Sequence, residues 1–284
     1  MILPPEGHQP FASPGEALAH FGVKGMRWGF RKERDPSFET FGQPYSAKDN
    51  AHGEFAELRL KKDKLLRVDR SEGFAHVRSA RGFKSEQSRK NYESVLEEFR
   101  TARETYPKIK ELKVEVVPMS HFPGWTPRGV QAAVIHGKPG EVIITYNDRS
   151  KDISPRSQKA WASWVPGMAY PGYAGRHEMG HVLASAAQTL PSTSHMYAEK
   201  SFAKRMKDLD DYNTKTEQLH KDKFAKHGLT FEELGKLGNY AKTSPSEAYA
   251  EAYGNYHTSE LRAKMSPQLQ AKVKALLDDE GGVK

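Results

Sequence analysis

The chain has 284 residues, no cysteine, 37% hydrophobic and 28% charged residues, and a formal net charge of +8. That length buries a real core in one large domain or two modest ones. The missing cysteines exclude a disulfide framework and any thiolate metal ligand. No apolar run approaches the ~20 residues of a membrane helix. Lys and Arg are scattered among acids, so a solvated basic surface is the plainer reading and a DNA partner is only weakly supported.

Residues 1–50 are rich in Pro, Gly and Ser and predict an extended arm. Within it, His20-Phe-Gly-Val-Lys-Gly-Met-Arg-Trp-Gly29 interleaves glycine with Phe21, Met26 and Trp28. It is too short for a domain, and reads either as a docking peptide anchored by Trp28 or as a linker. Residues 51–110 predict a helical accessory region, with one helix over Glu54–Val68 and another over Ser85–Tyr106. The second carries Tyr92, Val95, Leu96 and Phe99 at helical spacing.

From residue 111 the pattern changes. Leu112–Val117, Gly129–His136 and Glu141–Tyr146 predict strands, and Gly137-Lys-Pro-Gly140 predicts a hairpin between the last two. Residues 151–172 read as loop. Helices are predicted over Tyr173–Thr189, His195–His227, 231–238, 245–258 and 266–279. Strands first and helices after argue for an α+β domain over 111–284.

Within the first of those helices lies His177-Glu178-Met179-Gly180-His181. Histidines four apart differ by only ~40° around a helix axis, so both rings leave one face. Neutral imidazole is a good zinc ligand, and a catalytic zinc takes three protein ligands plus water. Glu178 stands where a carboxylate can take the proton of that water. Chance supplies roughly 0.04 copies of His-Glu-x-x-His in a chain of this composition, so the surroundings must decide. Met179, Val182, Leu183, Ala186 and Leu190 form an apolar stripe nearly opposite the histidines. Gly180 and Ala184 beside them leave room for a metal and a second helix.

The third ligand must come from elsewhere. Glu247 and Glu251 stand four apart on one predicted helix face, with Tyr249, Ala252, Tyr253 and Tyr256 on the other and Ala250 and Gly254 beside the acids. Ser244-Pro245-Ser246-Glu247 is also a capping-box pattern, so Glu247 is either a cap or a ligand. Glu251 is then the ligand itself or an acid that orients a histidine. Tyr240 is either core or an oxyanion partner.

Together these residues resemble the gluzincin type of zinc peptidase, and among gluzincins the anthrax lethal factor catalytic domain and its relatives in phages and bacterial toxins. The resemblance covers roughly residues 111–284. It implies a zincin-like fold, a small mixed sheet with active-site helices. It implies Zn2+ on His177, His181 and Glu247, Glu178 as general base, and Tyr240 as oxyanion partner. It also implies that Glu141–Tyr146 is the sheet edge to which a peptide substrate adds as a strand. The arm's His20–Gly29 segment is similar to a motif of bacteriophage structural and head-linked proteins, which implies docking to a capsid or portal.

The expectation is therefore a phage zinc endopeptidase acting on a protein or peptide. The alternatives are a head-associated docking protein with a non-catalytic metal site and a basic DNA-associated internal virion protein. Met1-Ile-Leu-Pro-Pro-Glu-Gly-His lacks the features of a signal peptide. The expected location is the host cytoplasm during assembly and then the virion, with no membrane partner.

Overall fold

Serine caps and apolar stripes set the main helices. In the computed structural model, residues 66–69, 72, 74–79, 83, 85–119, 131–136, 140–148, 162, 165–186 and 202–283 are described. Helix α1, Glu86–Thr105, begins where the Ser85 side chain accepts from the Ser88 amide at 3.1 Å, and it stops before Pro107. Its stripe of Tyr92, Val95, Leu96, Phe99 and Ala102 is buried. Burying a Val, Leu or Phe stabilises by about 1.5–3 kcal/mol each.

That stripe covers a five-stranded mixed sheet. The strands are β1 (Leu66–Asp69), β2 (Ala75–Ser79), β3 (Lys113–Pro118), β4 (Ala132–His136) and β5 (Glu141–Tyr146), in the order β1-β2-β3-β5-β4. β2, β3 and β5 run parallel, while β1 and β4 pair antiparallel with their neighbours. Val114, Val116, Val134, Val142 and Ile144 face the α1 stripe in one core.

The helices that follow are α2 (Tyr173–Ala186), α3 (Phe202–Lys226), α4 (Phe231–Leu234), α5 (Pro245–Tyr256), α6 (Ser259–Arg262) and α7 (Pro267–Gly281). Met179, Val182, Leu183 and Ala186 of α2 join the same core, as do Ala248, Tyr249, Ala252 and Tyr253 of α5. The architecture is α+β, as strands before helices predicted. Among the described residues no helix is long and apolar enough to cross a membrane.

Three expectations change. The helix expected over Glu54–Val68 is a strand over its last residues, because Leu66–Asp69 pairs with His76–Ser79. Residues 54–65 lie outside the described part. Second, the segment to residue 110 is no separate accessory region where it is described. β1 and β2 extend the sheet, and α1 shares the core of α2 and α5. Third, Glu141–Tyr146 is not an edge. β5 is hydrogen-bonded to β3 on one side and to β4 on the other. β4 runs antiparallel along β5, so among the described strands β4 takes the outer position. The arm, with His20–Gly29, lies outside the described residues.

Candidate metal centre

Helices α2 and α5 touch backbone to backbone. A Cβ built on Gly180 would lie 2.6 Å from the Ala250 Cα, closer than real Cβ contacts allow. Glycine inside a helix costs about 0.5–1 kcal/mol relative to alanine, and here it permits the close approach. Small residues beside the histidines and acids were the sequence signal for this seam.

Across it the two helices present facing polar ladders that run antiparallel. Tyr173, His177 and His181 project from α2, and Glu247, Glu251 and Asn255 from α5. His177 Nε2 lies 3.1 Å from Glu247 Oε2, and His181 Nε2 lies 3.4 Å from the same oxygen. His177 Nδ1 lies 2.9 Å from Glu251 Oε1. One ligand atom from each of His177, His181 and Glu247 fits within 4.8 Å of the others, so this buried group could hold a metal ion.

The two acids thus divide the work. Glu247 faces both Nε2 atoms, while Glu251 holds the far nitrogen of His177. Ser244 caps α5 by accepting from the Glu247 amide at 3.2 Å, but the Glu247 carboxylate turns to the histidines rather than back to the cap. The complete box is at α4, where Thr230 and Glu233 exchange both bonds.

The centre is nearly dry. His177, Glu178, His181, Tyr240, Glu247 and Glu251 are each at most 2% exposed. Burial works against a charged His177, but Glu247 and Glu251 on its two nitrogens push it up to about 10. Burial likewise opposes the Glu247 carboxylate, and His181 and His177 outweigh it, holding the group below its ordinary range. Burial raises Glu178 to about 8, with Glu247 adding to the rise and His177 and the Val134 amide pulling back. Neither Glu178 oxygen, nor His181 Nε2, makes a hydrogen bond of normal geometry among the described residues.

Three buried carboxylates around two imidazoles form a site that calls for positive charge. Buried charge is expensive unless paired or bound to metal. A proton on His177 and a divalent cation are competing answers to the same carboxylates. Two imidazoles and a carboxylate are a donor set suited to zinc, and His181 Nε2, 3.4 Å from Glu247 Oε2 without a hydrogen bond of normal geometry, fits a ligand for an ion.

Tyr240 begins a 3-10 turn, Tyr240–Lys242, and its ring centroid lies 5.6 Å from that of His177. Burial first, then Glu247, Glu178 and Glu251, hold its hydroxyl well above the ordinary tyrosine range, and it donates to Glu247. Every site residue read from the sequence is therefore at the seam. Tyr173 and Asn255 went unread, although each extends its ladder by one further step of four.

A family of unknown function (DUF7211) matches residues 12–35, a range that contains His20–Gly29 and none of the site. No curated protein matches the chain. No solved structure matches it either.

Proposed function

We propose that this chain is a zinc-dependent endopeptidase with a zincin-like catalytic domain. The observation that carries the reading is the Glu178 carboxylate, fully buried and without a hydrogen-bond partner of normal geometry, beside the His177-His181-Glu247 group. A purely structural metal site has no use for it, since burying a carboxyl group without its full set of partners costs about 1–3 kcal/mol. A general base requires it.

His177, His181 and Glu247 would hold the ion. Bound zinc supplies Lewis acidity, polarising a carbonyl and bringing water toward ionisation near neutral pH. Glu178 takes the proton of the attacking water and returns it to the leaving amine. The Tyr240 hydroxyl, which donates to Glu247 in this structure, would turn to donate to the oxyanion that forms at the carbonyl. Among the described strands β4 pairs with β5 alone, and the Val134 amide of β4 acts on Glu178. A substrate strand would therefore add to β4. The phage and virion setting of the proposal rests on the wording of His20–Gly29.

The test uses the full chain. Zinc bound to purified wild type and Glu178→Gln is measured by mass spectrometry, and both are assayed for peptide cleavage. Both should carry zinc, with cleavage lower in the variant by roughly 10²–10⁴-fold. A zinc-free wild type, or equal cleavage by the two proteins, overturns the reading.

A further inference from the structure

We propose that Tyr173 is a positioning residue of the metal centre, whose hydroxyl fixes the Glu251 carboxylate and, through it, the tautomer of His177. The inference rests on the metal reading above and goes beyond the ligands and the base.

The argument starts at a group with no choice. The backbone carbonyl of Glu251 can only accept, and Asn255 Nδ2 lies 2.8 Å from it. That contact assigns the nitrogen of the Asn255 amide, which is otherwise hard to tell from its oxygen. The same nitrogen lies 2.8 Å from the Tyr173 hydroxyl. An amide nitrogen only donates, so the Tyr173 oxygen accepts there and its one proton is left to donate elsewhere. Glu251 Oε2 lies 3.0 Å away and receives it.

An ionised carboxylate accepts at both oxygens. Its other oxygen, Oε1, then accepts from His177 Nδ1 at 2.9 Å. In the neutral ring that binds a metal, with the proton kept on Nδ1, the lone pair of His177 is on Nε2, the atom that faces Glu247 and His181. The contacts set the donors at Asn255 and Tyr173 in turn, and an ionised Glu251 passes that order on to His177. Metal-binding histidines depend on such outer partners for orientation and basicity.

The fold is cut to hold this tyrosine. A Cβ on Gly167 would lie 2.0 Å from the Tyr173 ring, and one on Gly254 would lie 3.0 Å from it. Gly167 sits in the 3-10 turn Pro166–Ala169 before α2, and Gly254 sits on α5. The ring therefore lies in a socket between the two, 1% exposed, with its hydroxyl at the polar ladder. An apolar ring would fill the socket equally well, so the hydroxyl is the part left to explain.

The test removes the hydroxyl and keeps the ring. Zinc affinity is measured by chelator competition for wild type, Tyr173→Phe, Glu251→Gln and the double variant. Melting of the metal-free proteins monitors the fold. Tyr173→Phe should weaken zinc binding by roughly 10-fold, the lower end of outer-partner effects. In the Glu251→Gln background the same change should cost less than about 3-fold, because the two act through one path. Asn255→Leu, which removes the donor that commits the hydroxyl, should weaken binding in the same direction and serves if Tyr173→Phe does not fold. Unchanged affinity in Tyr173→Phe, or an equal loss in both backgrounds, overturns the inference while leaving the metal reading standing. A wild type that takes up no zinc overturns both.

Discussion

The α2–α5 seam and the α3–α7 contact both bury charge, but they balance it differently. Between α3 and α7, Lys223 donates to Glu280, one cation to one anion, with the side chains 9% and 10% exposed. Burial pulls the Lys223 ammonium below its ordinary value, and Glu280 works to restore it. That contact is complete without any added ion. At the seam, Glu178, Glu247 and Glu251 face two imidazoles, so the described residues leave negative charge to be met. A buried pair that closes on itself reads as architecture, and a buried cluster that does not close reads as a binding site.

Metal should divide the two regions most sharply. At a thousandfold excess of zinc over its Kd, linkage stabilises the protein by roughly 4 kcal/mol, and a chelator should take this away. The thermal midpoint would fall on the order of 10 °C. Calorimetry with and without chelator measures it, and an unmoved midpoint would mean that the seam is already balanced.

A smaller effect is expected from the pair. Lys223→Met strands Glu280 and should cost about 3 kcal/mol, the low end for a buried pair because water reaches a tenth of each side chain. Adding Glu280→Leu should recover most of the loss, with zinc uptake unchanged throughout. Urea unfolding of the single and double variants checks this, and a double variant less stable than the single one would contradict it.

The smallest effect belongs to a half-buried polar contact that carries no charge. The Tyr106 hydroxyl lies 2.7 Å from His257 Nε2, and a neutral ring accepts there. Burial, with Arg176 and Arg262 adding, lowers His257 to about 4, against the small opposing pull of Asp278. The unfolded chain therefore binds this proton more readily than the folded one. Stability from this group is fully present above about pH 6.5 and is lost as pH falls toward about 4. The expected loss between pH 7 and pH 5 is about 1–2 kcal/mol. His257→Gln should flatten that window in urea titrations, and a variant with the wild-type slope would assign the dependence elsewhere.

Much of the fold and site was legible in local pattern. The 3.6-residue period of α1 and the clustered β-branched residues of β5 marked those elements closely, since a buried stripe repeats at the helix pitch and β-branched side chains suit a strand. β2 has only five residues, Ala75–Ser79, too few for local pattern to mark it as a strand. The charged pattern before β1 extends the predicted helix over its first three residues, to Val68. Their strand character comes from pairing partners, and β2 joins β3 by a contact across about forty residues.

For the site, helical spacing alone placed His177, Glu178 and His181 on one segment and Glu247 and Glu251 on one face of another. Spacing fixes which residues share a face and nothing about which face meets it, or in what register. The close approach of Gly180 to Ala250 sets that register. It puts Glu247 before both Nε2 atoms, Glu251 behind His177, and Tyr173 and Asn255 behind Glu251. The same tertiary packing made β5 an inner strand and, among the described strands, put β4 outermost. The sequence alone determined the chemistry on offer, because side-chain identity and helix pitch are local. Only the tertiary structure decided which acid serves which nitrogen, because that depends on two helices that meet some seventy residues apart.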